Sequence, residues 1–346
     1  MKKQFLSLKT LMALCLISIF TLSCKNDDDN TGGNPQDNTE ETVVVANRAG
    51  GSIIFIDAKK DAIIKTLSAT DFEPMYVVYV PNNDRIYVGD RTGNKVHVVN
   101  PETKEFESTI DVGNGVFHMW ADGNGKELWV NNDVDNTISV IDIATNAVVE
   151  TIDIGEKPHD VFLSQDGTKA YVSILDGTNR SQDKIFMYST TDYSKTGETS
   201  VGKDPHLFHL ANTNTLYVPS QGSGKLFVLN GDDLSEINQA DYQGAHGIFG
   251  SRDQSKIYAT NISGSALYSI DAENTDKSSS IATTNATPHN IVVNNDNTKL
   301  YVTHSGDTSD DVTVYTIDAN NEISETVVSL KVGLNPFGLA YYKREK

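Results

Sequence analysis

Cysteine is nearly absent from this chain of 346 residues, which has only Cys15 and Cys24. Both lie close to the N-terminus, so the rest of the chain can form no disulfide, no cysteine metal cluster and no c-type haem attachment. Helical periodicity is also scarce after residue 41. The chain also lacks a P-loop, a nucleophile elbow and the Ser-His-Asp spacing of a hydrolytic triad. We therefore expect an all-β domain stabilised by an ordinary core.

Basic residues are few: the chain has 28 of them against 47 acidic residues, which gives a formal net charge of −19. An acidic surface repels the phosphates of nucleic acids. We therefore expect no nucleic-acid partner.

The first 23 residues have the order of an export signal. Three early lysines precede the apolar run 11–22, which is too short for an ordinary membrane span. Ser23 then precedes Cys24, and this junction resembles a bacterial lipobox. The match is imperfect, because the leucine of a lipobox usually stands one place earlier than Leu22 does here. The resemblance implies that residues 1–23 are removed and that Cys24 carries a lipid. An ordinary secretory signal with an incidental cysteine is the alternative.

Residues 25–41 contain no large apolar side chain, and acidic residues are frequent among them. With Cys24 they make up the segment 24–41. Such a segment cannot bury enough surface to offset its chain entropy, so we expect a flexible tether. Acids directly after the cysteine resemble an export tag for the outer face of the outer membrane. The predicted location is a surface-exposed outer-membrane lipoprotein, with residues 42–346 as its folded domain.

That domain consists of a unit of four short strands that recurs every 40-odd residues, a spacing typical of a β-propeller. The clearest copies of the first two strands are PHDVFLSQDGTKAYV at 158–172, PHNIVVNNDNTKLYV at 288–302 and PMYVVYVPNNDRIYV at 74–88.

Seven copies can be counted, and the last of them has only a first strand before the chain stops. Three strands precede the first full copy, at 42–47, 52–57 and 62–67. The C-terminal strand therefore completes the N-terminal blade, which predicts a seven-bladed β-propeller of four-stranded antiparallel blades without exposed edges at the closure.

The unit resembles the YVTN-type propeller repeat, since YVTH at 301–304, YATN at 258–261 and YVSI at 171–174 match its core motif. The resemblance covers residues 42–342. It implies the fold, but related propellers include scaffolds, ligand binders and enzymes, so it does not imply one function.

One position, directly after the proline of the repeat, is rich in histidine. We expect these anchor residues to form a ring at the mouth of the central channel, on the face where the chain enters each innermost strand. In chain order they are Met75, Phe117, His159, His206, His246, His289 and Phe337.

Three interpretations of this ring remain open. The histidines of the ring can bond the backbone of a neighbouring blade, which is a structural role. They can line a polar and aromatic pocket for a small ligand. They can also bind a transition metal, with His159, His206, His246 and His289 as the ligands.

Three further residues are candidates for the same face. His118 follows an anchor residue, and His304 ends the second strand of the seventh blade. Arg180 belongs to the long loop 173–184 of the fourth blade, and a second long loop spans 304–311.

Binding is favoured over catalysis because no acid is demonstrably beside a base. The predicted ligand is a small molecule or a protein partner, and the surface location suggests nutrient capture for an outer-membrane transporter. Similar lipoproteins capture vitamin B12 or iron chelates. A lactonase- or lyase-like enzyme is the alternative, because propellers with those activities resemble this fold. No cofactor is predicted firmly; a transition metal is the one candidate.

Overall fold

The computed structural model describes residues 38–179 and 181–346. The predicted signal peptide, Cys24, most of the predicted tether and Arg180 lie outside these ranges. In the described part the chain forms 28 strands and one short 3₁₀ helix, Gln221–Ser223. No helix among these residues is long and apolar enough to cross a membrane.

The strands follow one another in groups of four. In chain order they are β1 (Thr39–Asn47), β2 (Ser52–Asp57), β3 (Ala62–Ser68); β4 (Pro74–Val80), β5 (Arg85–Asp90), β6 (Lys95–Asn100), β7 (Glu105–Asp111); β8 (Val116–Ala121), β9 (Glu127–Asn132), β10 (Thr137–Asp142), β11 (Ala147–Asp153); β12 (Lys157–Leu163), β13 (Lys169–Leu175), β14 (Asp183–Ser189), β15 (Lys195–Val201); β16 (Phe208–Leu210), β17 (Thr215–Ser220), β18 (Lys225–Asn230), β19 (Glu236–Asp241); β20 (Ala245–Gly250), β21 (Lys256–Asn261), β22 (Ala266–Asp271), β23 (Ser278–Ala282); β24 (Pro288–Val293), β25 (Lys299–His304), β26 (Asp311–Ile317), β27 (Ile323–Lys331); and β28 (Pro336–Glu345).

These strands form seven four-stranded antiparallel sheets, which confirms the predicted seven-bladed propeller. Blade one has the order β28-β1-β2-β3, so the C-terminal strand completes the N-terminal blade as expected. Strand β1 begins at Thr39, earlier than the predicted start at residue 42. The reason is that residues 39–41 pair with the charged end of β28, for example Glu40 with Arg344.

The blades are joined by the aromatic residue of the repeated Y-V motif, which is buried in the second strand of each full copy. The hydroxyl of Tyr171 donates to the carbonyl of Gly231 in the next blade at 2.7 Å, and Tyr217 donates to Ala272 at 2.6 Å. Each such contact combines a buried ring, which contributes about 1.5–3 kcal/mol, with a hydrogen bond of about 1 kcal/mol. The repeat therefore encodes the packing of each blade on the next.

In five of the six full copies, the innermost strand carries a bulge at the anchor position, whereas blade five pairs Pro205 with Ser220 and Phe208 with Tyr217 without a shift. In blade four, Pro158 pairs with Ile174 and Val161 with Val172, so His159 and Asp160 together stand opposite the single residue Ser173. The same shift occurs in four other full copies. A bulge places two successive residues out of the normal alternation, so both the anchor residue and the one after it can serve the channel.

Two faces follow from the strand directions. We call the face where the chain enters the innermost strands the top face, and the face with the turns between first and second strands the bottom face. The anchor residues lie at the top end of the central channel.

Candidate functional site

Six of the seven anchor residues form a closed ring of aromatic side chains at the top of the channel. Met75, the seventh, is fully buried. The distances between ring centroids are 5.1 Å for Phe117–His159, 4.8 Å for His159–His206, 3.8 Å for His206–His246, 4.6 Å for His246–His289, 4.2 Å for His289–Phe337 and 5.9 Å for Phe337–Phe117.

The ring has a polar side and an apolar side. Nε2 of His159 lies 3.4 Å from Nε2 of His206 and 3.2 Å from Oδ1 of Asp204. On the opposite side, the guanidinium of Arg91 lies 5.7 Å from the ring centre of Phe117, and Arg48 lies 5.5 Å from that of Phe337. The one-sided arc of histidines predicted from the repeat is thus present.

A second tier of side chains lies beneath the ring and comes from the second bulge residue. Nδ1 of His118 lies 2.7 Å from Oδ1 of Asp160, and the ring of Tyr76 packs against His118 at a tilt of 35°, with centroids 3.6 Å apart. The backbone amides of Val161 and Leu207 also donate to the Asp160 carboxylate, at 2.7 and 2.9 Å. Asp160 therefore links blades three, four and five.

Burial decides the charge state of this tier. Burial lowers the pKa of His118 to about 4, although the Asp160 carboxylate acts in the opposite direction. Burial also opposes ionisation of Asp160, but its electrostatic and hydrogen-bonding interactions with His118 and His206 outweigh that effect and hold the pKa of the carboxyl below its ordinary value. At neutral pH we therefore assign an ionised Asp160 and a neutral His118 with its proton on Nδ1.

Two ring histidines are neutral for the same reason. Burial, together with the neighbouring histidines, sets the pKa of His246 well below its ordinary value, and burial lowers that of His289 to about 3. Asp204 is also ionised. Burial opposes its ionisation, but the hydrogen bond with His159 and the other neighbouring histidines outweigh burial and lower its pKa to about 2.

The channel beneath the ring contains a cavity of about 490 Å³. Its inner end is polar and consists of Tyr76, His118, Asp160, His206 and Asn290. Its rim lies among the exposed turns of the bottom face, which include Asn82, Gly123, Gln165 and Arg252. The wall between them is mainly apolar and includes Val78, Trp120, Phe162, Ile248, Phe249 and Leu339.

The predicted site residues therefore separate into groups. His118 and His206 line the cavity, whereas Phe117, His159, His246, His289 and Phe337 belong to the ring above it. His304 is fully buried away from that cluster, where its Nδ1 donates to the carbonyl of Ala286 at 2.8 Å and its Nε2 accepts from the hydroxyl of Thr313 at 2.9 Å. Because an acceptor carbonyl requires a proton on Nδ1, His304 donates there and has a structural role.

Sequence reasoning missed the carboxylates. Asp160 and Asp204 contact the histidines directly, and Asn290 holds Nδ1 of His289 at 2.9 Å. The signal was available for Asp160 and Asn290, since both follow an anchor histidine in the repeat. In a strand of regular alternation, Asp160 and Asn290 would face the side opposite to the anchor histidines. The bulge instead brings the anchor histidine and the residue after it to the channel together.

The long loop of blade four is tied down by a lysine from blade five. Nζ of Lys203 bonds the carbonyls of Asp176 at 3.2 Å and Asn179 at 3.0 Å, and it pairs with the buried carboxylate of Asp183. The described part of this loop is therefore held beside the top face.

Two groups of His and Asp side chains have the spacing of possible metal ligands. One consists of His118, Asp160 and His206, and the other of His159, Asp204 and His206. The two groups share His206, whose Nε2 faces His159 and whose Nδ1 faces Asp160.

Comparison with known proteins supports the fold and leaves the family open. No family model matches the sequence, and no curated protein matches it. Membership of the YVTN-type family therefore stays a prediction.

Solved structures with the same fold are numerous at low identity. A periplasmic gluconolactonase from Pseudomonas aeruginosa superposes with a TM-score of 0.68 at 15% identity, covering 87% of this chain and 98% of that one. A Bacteroides fragilis protein assigned by prediction to the 6-phosphogluconolactonases gives 0.70 at 18%, covering 89% and 99%. A protein of unknown function from Desulfotomaculum acetoxidans gives 0.70 at 12%, covering 87% and 98%. At these identities the likeness concerns the fold alone.

Proposed function

We propose that this protein binds a small amphipathic organic molecule in its central channel and does not transform it. The observation that carries the proposal is the cavity of about 490 Å³, with apolar walls and polar side chains gathered at its inner end. Ligand pockets are typically about 300–1,000 Å³ and have this distribution of lining groups. The ligand would enter from the bottom face, because the ring of anchor side chains fills the top end.

The inner end selects the polar group of the ligand. Asp160 accepts the Nδ1 proton of His118, which leaves Nε2 of His118 with a lone pair. That nitrogen is buried and has no hydrogen-bond partner within residues 38–179 and 181–346. A ligand whose apolar body ends in a hydroxyl or N–H donor would satisfy it, whereas an anionic end would meet the carboxylate of Asp160.

This binding function agrees with the location predicted from the sequence. We propose that Cys24 is lipidated, that the protein is exported to the outer membrane, and that it passes its ligand to a transporter there. Intact-mass measurement of the protein from membrane fractions tests the anchor, since an unmodified Cys24 would contradict it.

The neutral fluorophore N-phenyl-1-naphthylamine tests the channel, because it has an aromatic body and a single N–H donor. We expect one bound probe per chain and loss of its fluorescence in Ile248→Trp, which fills the channel. Ile237→Trp is the matched control, since Ile237 is exposed on an outer strand. His118→Phe keeps the ring and should weaken binding roughly 10-fold, the effect of one lost hydrogen bond of about 1.4 kcal/mol. Equal binding by both tryptophan variants would place the probe elsewhere.

Lactone hydrolysis is the second candidate, favoured by the His118–Asp160 pair and by the two lactonase-type neighbours in structure. Nε2 of His118 would take a proton from water as the water oxygen attacks the lactone carbonyl. The ring C–O bond would then break, and the leaving alkoxide would take the proton. A rate of δ-gluconolactone hydrolysis equal to that of buffer alone would exclude this candidate.

A transition-metal site is the third candidate. The specific observation for it is the pair of His and Asp groups that share His206.

A further inference from the structure

Three side chains converge where blades four and five meet at the top of the channel. Nε2 of His159 lies 3.4 Å from Nε2 of His206 and 3.2 Å from Oδ1 of Asp204, and all three ligand atoms lie within 4.8 Å of one another. Ligands bound tetrahedrally at about 2.0–2.1 Å from a zinc ion stand roughly 3.3 Å apart. The two shortest separations therefore match the edges of such a coordination sphere.

Hydrogen bonding satisfies this arrangement only by sharing one proton between two acceptors. Nε2 of His159 faces both a carboxylate oxygen and a second imidazole nitrogen. If it donates its proton to Asp204, it has no lone pair with which to accept a bond from His206. A cation between the three atoms would satisfy all of them at once.

A second feature, independent of these separations, orients His206 as a ligand. Its other nitrogen, Nδ1, lies 3.7 Å from Oδ2 of the buried Asp160. The carboxylate itself is fixed by the amides of Val161 and Leu207. Histidines that bind metals commonly direct the second nitrogen towards a carboxylate, which leaves the lone pair on the metal side.

The second possible group is less suited to a metal. His118 has already turned Nδ1 towards Asp160 at 2.7 Å, and both oxygens of Asp160 accept backbone amides. A cation there would have to break these bonds. The group at the top face has no comparable network.

Solvent access indicates the type of site. His206 is buried, but the side chain of His159 is 13% exposed and that of Asp204 is 37% exposed. Three protein ligands with one side open to solvent are typical of exchangeable or catalytic zinc sites, whereas structural sites are closed by four. His246 lies against His206, and neither of its nitrogens has a hydrogen-bond partner in the described part of the chain.

We propose that His159, Asp204 and His206 bind one divalent transition-metal ion of the Zn²⁺ class, with an exchangeable position towards the top face. This ligand set differs from the one predicted from the sequence. It keeps His159 and His206, omits His246 and His289, and adds the carboxylate of Asp204. The site goes beyond the channel ligand and does not depend on it, since that cavity opens on the opposite face.

Calorimetric titration of the chelator-treated mature protein with Zn²⁺ tests the site. We expect one ion per chain, and visible absorption after Co²⁺ substitution should show tetrahedral nitrogen and oxygen ligands. His159→Ala and Asp204→Asn should each weaken Zn²⁺ binding by at least 10- to 100-fold, the loss typical even of outer-sphere partners. Asn is a suitable replacement because position 204 has a φ of 57°, which Asn tolerates as well as Asp.

The matched control is His289→Gln, which changes a ring histidine outside the proposed ligand set and should bind Zn²⁺ as the unchanged protein does. Circular dichroism of each variant checks that the fold is retained. Absence of stoichiometric Zn²⁺ binding would overturn the proposal. So would equal affinity in Asp204→Asn and the unchanged protein. Neither result would bear on the naphthylamine probe, so the two proposals can fail separately.

Discussion

At the scale of single residues, the unusual feature is a set of imidazoles buried without charge. Histidine side chains in water have a pKa near 6.5, but burial beside other histidines makes protonation costly. His289 shows this most clearly, because it is 4% exposed and burial lowers its pKa to about 3. The unfolded chain therefore binds a proton at mildly acidic pH that the folded protein does not bind.

This difference predicts a pH-dependent stability. The unfolded state takes up more protons below about pH 6.5, so the free energy of unfolding falls as the pH falls towards the folded pKa. For His289 alone the loss between pH 7.5 and pH 5 should be about 2 kcal/mol. Urea unfolding at both pH values should show that His289→Gln reduces the difference by that amount. An unchanged difference would mean that His289 is protonated in the folded protein.

At the scale of the strand, the bulge decides which residues reach the channel. The repeat indicated the anchor positions because, in each full copy, one residue recurs 11 or 12 places before the aromatic residue of the Y-V motif. It could not show that Asp160 joins His159, since a strand of period two sends neighbours to opposite faces. Asp204 was harder still, because it lies in a loop whose path depends on the neighbouring blade. Sequence therefore supplied the fold and the histidines, whereas the carboxylates that orient them needed the structure.

The bulge also explains glycine at the second position in blade six. A Cβ at Gly247 would overlap the carbonyl oxygen of His289 in the next blade. We expect Gly247→Ala to destabilise the protein by about 1–3 kcal/mol, the range for overpacked sites. Gly177→Ala is the matched control, because nothing lies within 4 Å of its added Cβ. Thermal unfolding compares the two, and an equal midpoint for both would show that the blades adjust at no cost.

At the scale of the whole molecule, closure depends on one strand. Strand β28 pairs with β1 through most of its length, and it carries the buried side chains of Phe337, Leu339 and Tyr342. Arg344 at its end pairs with Glu40 and Asp84. The ring is therefore held shut by contacts between the two most distant parts of the described chain.

Removing residues 336–346 should therefore abolish cooperative unfolding. Each of the three large buried side chains contributes about 1.5–3 kcal/mol, and their sum approaches the total stability of a typical domain, about 5–15 kcal/mol. Scanning calorimetry should show one sharp transition for the unchanged protein and none for the truncated one. A chain that starts at Asn38 is the control, because it keeps every strand of the ring. A normal transition after the C-terminal deletion would show that six blades and a fragment suffice.

The pairing of β1 with β28 has a consequence for how the gene could be arranged. Thr39 stands opposite Glu345, and the amide of Lys346 donates to the carbonyl of Asn38 at 3.0 Å. The two ends of the described domain are thus close enough for a short peptide linker to join them. A circularly permuted chain, joined there and cut in a turn between two other blades, would trace the same ring. The order in which the blades are translated is then free to change, while the order in which they stand around the channel is not.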